Sequence, residues 1–412
     1  MHPDPDLRAD DARVPAPHTR AATHSISPSP AASDSSFEDR LRALHAAITS
    51  QPPPRAIDVV ALVDSLASDL RRQGRARDLD TAIDAIERRR PGIFEYGFCY
   101  FQSLRVENQL LLPDGNLAEA VLPLAPFCAM PELSLLDVVD ALLYHGRRAE
   151  LLSLFERGLL RVEDIVDVEM ELEGHSLREL AVQLVVDRWL EEVPHLTGGE
   201  VGLLESVSRF EPTPEDEVRR LVDERRGWGR SALRPADFTI GRPLPGLVQR
   251  LDALLHHFAT TLSLDRGWPR SRAQLARLAL RTVLFEQLSE TLGVGPFLHC
   301  DECVRLATPT RRPRRGAPRA FLPDLANLFD RWDGLIALPG SPYRPAALLE
   351  ALPAWLDYLS AAGLVSLAEI APLRRQLAAR VPSCATAVVG EFYDPLIADN
   401  LSRLRAEVAN KD

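Results

Sequence analysis

The sequence predicts an all-α protein, either an irregular multi-helix bundle or an α-solenoid-like stack of helix hairpins, behind a disordered N-terminal tail. Three observations carry this expectation. Apolar residues recur at helical spacing along most of the chain, capping boxes stand where those stripes begin, and period-two alternation is nearly absent.

Taken in order, residues 1–36 form the tail. Pro3, Pro5, Pro15, Pro17, Pro28 and Pro30 stand there among Ala, Ser, Asp and His, and no apolar face offsets the entropy of ordering. Ser36 closes the tail as an N-cap, with Glu38 and Asp39 in the first turn that follows. Val59, Leu62, Val63, Leu66 and Leu70 then fall on one stripe, as do Leu135, Val138, Val139 and Leu142. The cleanest series is Leu247, Leu251, Leu254, Leu255, Phe258 and Leu262. Capping boxes are expected at Ser176 with Glu179, Thr197 with Glu200 and Ser366 with Glu369, and Thr213-Pro214 reads as an N-cap followed by proline at the first helical position.

The segment Val138 to Leu160 reads as a helix hairpin broken at His145-Gly146, and 355–380 repeats it around Ala362-Gly363. These hairpins look like single units of an α-solenoid, without a fixed repeat period. Residues 167–173 alternate acidic and apolar side chains; the surrounding helices favour an acidic helix face there over a strand. Pro and Gly crowd 228–246, which places an N-terminal lobe at 37–230, a linker at 231–245 and a C-terminal lobe at 246–408. A flexible Arg/Pro loop is expected at 306–320.

Composition excludes several functions. The 412 residues carry a net charge of −11, a field that repels polyanions and argues against nucleic acid as a partner. Lys411 is the only lysine, so arginine abundance reflects G/C-rich codons before it reflects phosphate binding. The five cysteines, odd and sparse, do not make a disulfide framework, and the N-terminal segment lacks the apolar core of a secretory signal. No run is apolar enough to span a membrane. The cytoplasm is the expected compartment. Walker A, dinucleotide-binding, H-E-x-x-H, G-x-S-x-G and kinase motifs are absent.

One cluster could carry chemistry: His299-Cys300-Asp301-Glu302-Cys303. Two thiolates three residues apart can converge on one zinc ion, with His299 and the distant Cys384 as further ligands and His256-His257 in reserve. Against this stand the missing second pair, Val304 where glycine is common, and the diverging directions of His299 and Cys300. The bland reading is two small packed thiols. The order of residues rules out haem attachment, and Asp301 and Glu302 would raise the thiol pKa that a redox pair needs low.

Arg305, Arg311, Arg312, Arg314, Arg315 and Arg319 have no interleaved aromatics, and read as a solvated loop or a docking strip for an acidic partner. Glu163 to Glu173 read as a solvated acidic face. At most one of His256 and His257 can share the apolar side of its helix. Trp189, Trp332 and Trp355 read as core aromatics. The expected function is a non-catalytic helical scaffold that binds another protein; the alternative is a zinc protein, structural or enzymatic, organised around Cys300 and Cys303.

Overall fold

A computed structural model describes residues 36–112, 115–123, 135–157, 159, 182–190, 195–207, 214–228, 234–238, 244–293, 320–332, 342–391 and 393–409. Every regular element among them is helical. The first five helices are α1 (Phe37–Thr49), α2 (Ala56–Arg72), α3 (Ala76–Arg89), α4 (Pro91–Tyr96) and α5 (Phe98–Leu111). Then come α6 (Leu117–Val121), α7 (Leu135–Tyr144), α8 (Arg148–Glu156), α9 (182–190), α10 (Gly198–Val207) and α11 (Pro214–Trp228). A 3-10 turn (Pro235–Phe238) precedes α12 (Leu244–Arg266) and α13 (Arg270–Leu292). The last four are α14 (Leu325–Asp330), α15 (Tyr343–Ala361), α16 (Leu367–Glu391) and α17 (Pro395–Ala409). No described helix is long and apolar enough to cross a membrane.

The local signals explain why these helices start where they do. Ser36 accepts the Asp39 amide at 3.2 Å. The Thr197 hydroxyl accepts the Glu200 amide at 3.3 Å while Glu200 receives the Thr197 amide at 3.0 Å, a reciprocal capping box. Ser366 and Glu369 do the same at 3.4 and 2.9 Å. The two expected hairpins form as α7–α8 and α15–α16, and a third as α12–α13. Gly146 turns the first of them at φ +76°, where a Cβ would also lie 3.0 Å from Pro269 of the α12–α13 turn. The two turns therefore touch, and only glycine fits between them.

Apolar packing divides the molecule differently from composition. Leu44, Val63, Leu66, Leu79, Ile83 and Phe101 belong to a core of α1–α5. A second, larger core joins α7 and α8 to α12–α17: Leu142, Leu154, Leu251, Leu280, Trp355 and Leu401 are all members. It takes residues from both sides of the 231–245 segment, so the lobes expected at 37–230 and 246–408 share it. Helix α5 bridges the two cores, with Phe101 and Leu104 in one and Val106 and Leu110 in the other. A small third cluster holds Val185, Trp189, Leu204 and Val218.

Helix α13 is the axis of the larger core and packs on α7, α12 and α15. Its first half, Ser271–Arg281, is buried around the whole circumference, arginines included, with Arg277 0% exposed; its second half exposes Thr282, Glu286 and Glu290 along one edge. Each buried arginine finds a partner. Arg281 reaches Asp252 at 2.8 Å, and Arg277 donates to Gln274 at 2.8 Å, which in turn donates to Asp187 at 2.6 Å. The Ser271 hydroxyl donates to the Leu143 carbonyl at 2.9 Å, a second donor to an oxygen near the C-terminus of α7 that also accepts the Gly146 amide at 3.1 Å. Trp189, Trp332 and Trp355 are core aromatics, as expected. His256 is buried and His257 exposed, dividing the pair as helix geometry requires.

Candidate functional site

The largest concentration of buried polar chemistry lies where α7, α13, α15 and α17 meet. Tyr144, the last residue of α7, is 0% exposed, and its hydroxyl donates to Glu350 of α15. Arg272 of α13 donates to the other oxygen of Glu350, and its guanidinium lies 4.4 Å from the Tyr144 ring and 4.7 Å from that of Trp268. Asn400 of α17 donates to the Tyr144 oxygen at 3.0 Å and accepts from Arg403. Burial pushes the Glu350 carboxyl up, an effect that Arg272 and the Tyr144 hydrogen bond only partly reverse. Burial also lifts Tyr144 well above the usual phenol range, and Glu350 adds to it, so Tyr144 stays a protonated donor.

Beside this group sits an imidazole–carboxylate pair. His145 Nε2 lies 2.6 Å from Asp394 Oδ2, and the Tyr343 hydroxyl donates to the same oxygen at 3.0 Å. Asp394 Oδ1 caps α17, accepting the Leu396 amide at 2.7 Å and the Ile397 amide at 3.3 Å. Asp394 is 0% exposed. Burial alone would raise its pKa, but the His145 hydrogen bond and charge, the Leu396 amide and Tyr343 together hold it below the usual carboxylate range. An ionised Asp394 accepts, so Nε2 carries the proton. The His145 ring is enclosed edge-on by Tyr144 and Tyr343, with centroids 6.1 and 5.9 Å away. An oriented imidazole of this kind can act as a general base; two aromatic rings flank it, and 13% of its side chain stays exposed.

The seam continues into the first core. Arg71 of α2 donates to Glu107 and Asn108 of α5 at 2.7 and 3.0 Å, and Asn108 donates to Asp80 of α3 at 2.8 Å. Glu107 and Arg71 both act on the ionisation of Tyr343, which burial and Asp394 raise well above the phenol range. Arg344 closes the outer edge, donating to Asp140 of α7 at 2.6 Å.

Comparison with family models, with curated proteins and with solved structures finds no match to this chain. The reading therefore rests on geometry alone.

Of the zinc cluster expected from sequence, Cys384 alone lies among the described residues. His299, Cys300 and Cys303 lie outside the described residues, as do the tail at 1–35, the acidic run at 163–173, Ser176 with Glu179, and the Arg/Pro segment at 306–319. Cys384 is buried on α16 as a member of the large apolar core. Among the described residues, no group of three or more His, Cys, Asp or Glu side chains is arranged to hold a metal ion. His257 instead pairs with the Tyr358 hydroxyl at 2.8 Å.

The sequence reading placed His145 only as a hairpin breaker and missed Tyr144, Arg272, Tyr343, Glu350, Asp394 and Asn400. One signal was visible: Asp394-Pro395 is an N-cap followed by proline at the first helical position. Nothing local marks the rest, because the partners stand up to 256 positions apart.

Proposed function

We propose that this chain is a non-catalytic helical scaffold whose partner is another protein. One observation carries the reading. Among the described residues, the acid–base groups gathered where these helices meet are engaged with one another, across helices distant in sequence: Tyr144 with Glu350, Arg272 and Asn400, and His145 with Asp394 and Tyr343. A buried network that ties these four helices together fixes the mutual placement of α7, α13, α15 and α17. Rigid stacked hairpins then leave their outer helical faces as the working surface. The exposed apolar side chains Tyr96, Leu264 and Leu367 are at home on such a surface.

The test is crosslinking of the full chain in its native cells, with mass spectrometry and co-elution of the recovered proteins. The scaffold reading expects a protein that co-elutes at constant ratio. It also expects His145→Gln to lower the melting temperature while the folded variant still recovers that protein. A chain that elutes alone, and whose purified form turns over a substrate that His145→Gln abolishes without loss of fold, would overturn it.

A further inference from the structure

Helix α16 carries two prolines in its interior, Pro372 and Pro382. Proline has no N–H, so Pro382 cannot close the helical bond to the Ala378 carbonyl four residues back, and its ring crowds that carbonyl. Beside this irregularity, between α16 and α17, lies an open groove of about 460 Å³. Its floor is made of small and aliphatic side chains, Ala378, Ala379, Val381 and Val408 among them. Its two polar lining residues are both arginines, Arg375 and Arg405.

The two arginines are held differently. Arg405 of α17 crosses to α16, donating to the Pro382 carbonyl at 3.0 Å and to the Thr386 hydroxyl at 2.7 Å. These are neutral acceptors, so its charge is not cancelled. Arg375 is exposed on α16 and makes no ion pair among the described residues. The lining thus holds two cations and no carboxylate, on a chain whose net charge is −11.

We infer that this groove binds an acidic, aliphatic peptide segment of a partner protein, a step that rests on the scaffold reading. The floor takes a leucine- or isoleucine-sized side chain, because alanines leave depth where larger residues would fill it. Guanidinium forks at the rim match carboxylates on the neighbouring turn of such a segment. Two guanidinium groups are too few to hold a polyanion against the overall field, so nucleic acid and anionic membrane are poor occupants. An inorganic anion would leave the apolar floor uncovered.

The test begins with random peptides displayed on phage and panned against the full chain. An enriched sequence is then synthesised with a fluorophore and its binding measured by anisotropy. Enriched peptides should place Asp or Glu beside Leu or Ile. Arg375→Glu should weaken binding by about tenfold or more, Arg375→Lys by much less, and Ala379→Trp, which fills the groove, should also cost about tenfold. Both positions are exposed, and melting temperatures close to wild type show that the variants fold. Basic or purely aromatic enriched sequences, or no enrichment, would overturn the assignment. Peptides that bind equally to Arg375→Glu and Ala379→Trp would remove the groove and leave the scaffold reading standing. Absence of a co-eluting partner in native cells would remove the scaffold itself.

Discussion

Replacing Asp394 separates the two tasks of a single carboxylate. Asp394→Ala removes the cap of α17, worth about 0.5–2 kcal/mol, and leaves the His145 and Tyr343 donors buried without their acceptor, at about 1–3 kcal/mol each. Because such losses overlap, the expected total is about 3–5 kcal/mol. Asp394→Asn keeps one capping oxygen but turns an amide NH2 toward His145 and Tyr343; the imidazole can answer by moving its proton to Nδ1 and the Tyr343 hydroxyl by rotating to accept, so a loss smaller than that of Ala, about 2–3 kcal/mol, is expected. The charge also fixes the pH dependence. The folded pKa of Asp394 lies below its unfolded value, so the stability it contributes is fully present above about pH 4 and is lost as pH falls through the folded pKa. The gap between wild type and Asp394→Asn should therefore narrow in acid, below about pH 4. Urea unfolding followed by circular dichroism, at neutral and acidic pH, measures all three quantities. Equal losses for Asn and Ala, or a gap that stays constant into acid, would refute the reasoning.

Three further expectations follow from packing. Arg272→Ala or Glu350→Ala alone should each cost about 3–5 kcal/mol by stranding a buried partner, whereas Arg272→Met with Glu350→Leu should cost far less than the sum; a double-mutant cycle by denaturant titration decides this. Gly146→Ala should lower the melting temperature more than Gly363→Ala. Both positions have positive φ, at about 1–2 kcal/mol, but only the first would press a Cβ onto Pro269. Cys384→Ala should cost about 1–2 kcal/mol, and chelators should not shift the melting temperature of the wild type if the thiol is simply packed; a chelator-dependent loss that vanishes in the variant would restore the metal reading.

The helices legible in the sequence are those with one apolar face. Val59, Val63, Leu66 and Leu70 announced α2 because the opposite side of that helix meets solvent. The series from Leu247 to Leu262 announced α12 in the same way, and all six of its members are buried. Helix α13 announced itself poorly. Its first half is buried on every side and has no stripe, and the charged letters Arg272, Arg277 and Arg281 lie inside it, each with a partner. The polar seam was illegible for a related reason. A buried Tyr144 and a surface tyrosine are the same letter, and what distinguishes them is Glu350 and Asn400 on other helices. Within the 228–246 stretch of Pro and Gly, Pro235–Phe238 form a 3-10 turn while Pro245 and Gly246 stand in the first turn of α12, where the missing proline N–H costs no helical bond.

The reach of the Tyr144 network has a consequence for biosynthesis. Ribosomes deliver Tyr144 and His145 long before Asp394 and Asn400, which close the network from α17. Helix α13, too, emerges before α15 can cover it and supply Glu350 to Arg272. The large core therefore cannot close during translation of its first half, while α1–α5, whose contacts are mostly local, can. Nascent chains stalled between residues 300 and 390 would expose a wide apolar surface and a buried-type arginine without its carboxylate. Such chains would depend on chaperones that cover apolar surface at the ribosome, and translation pauses within that interval would be costly to yield.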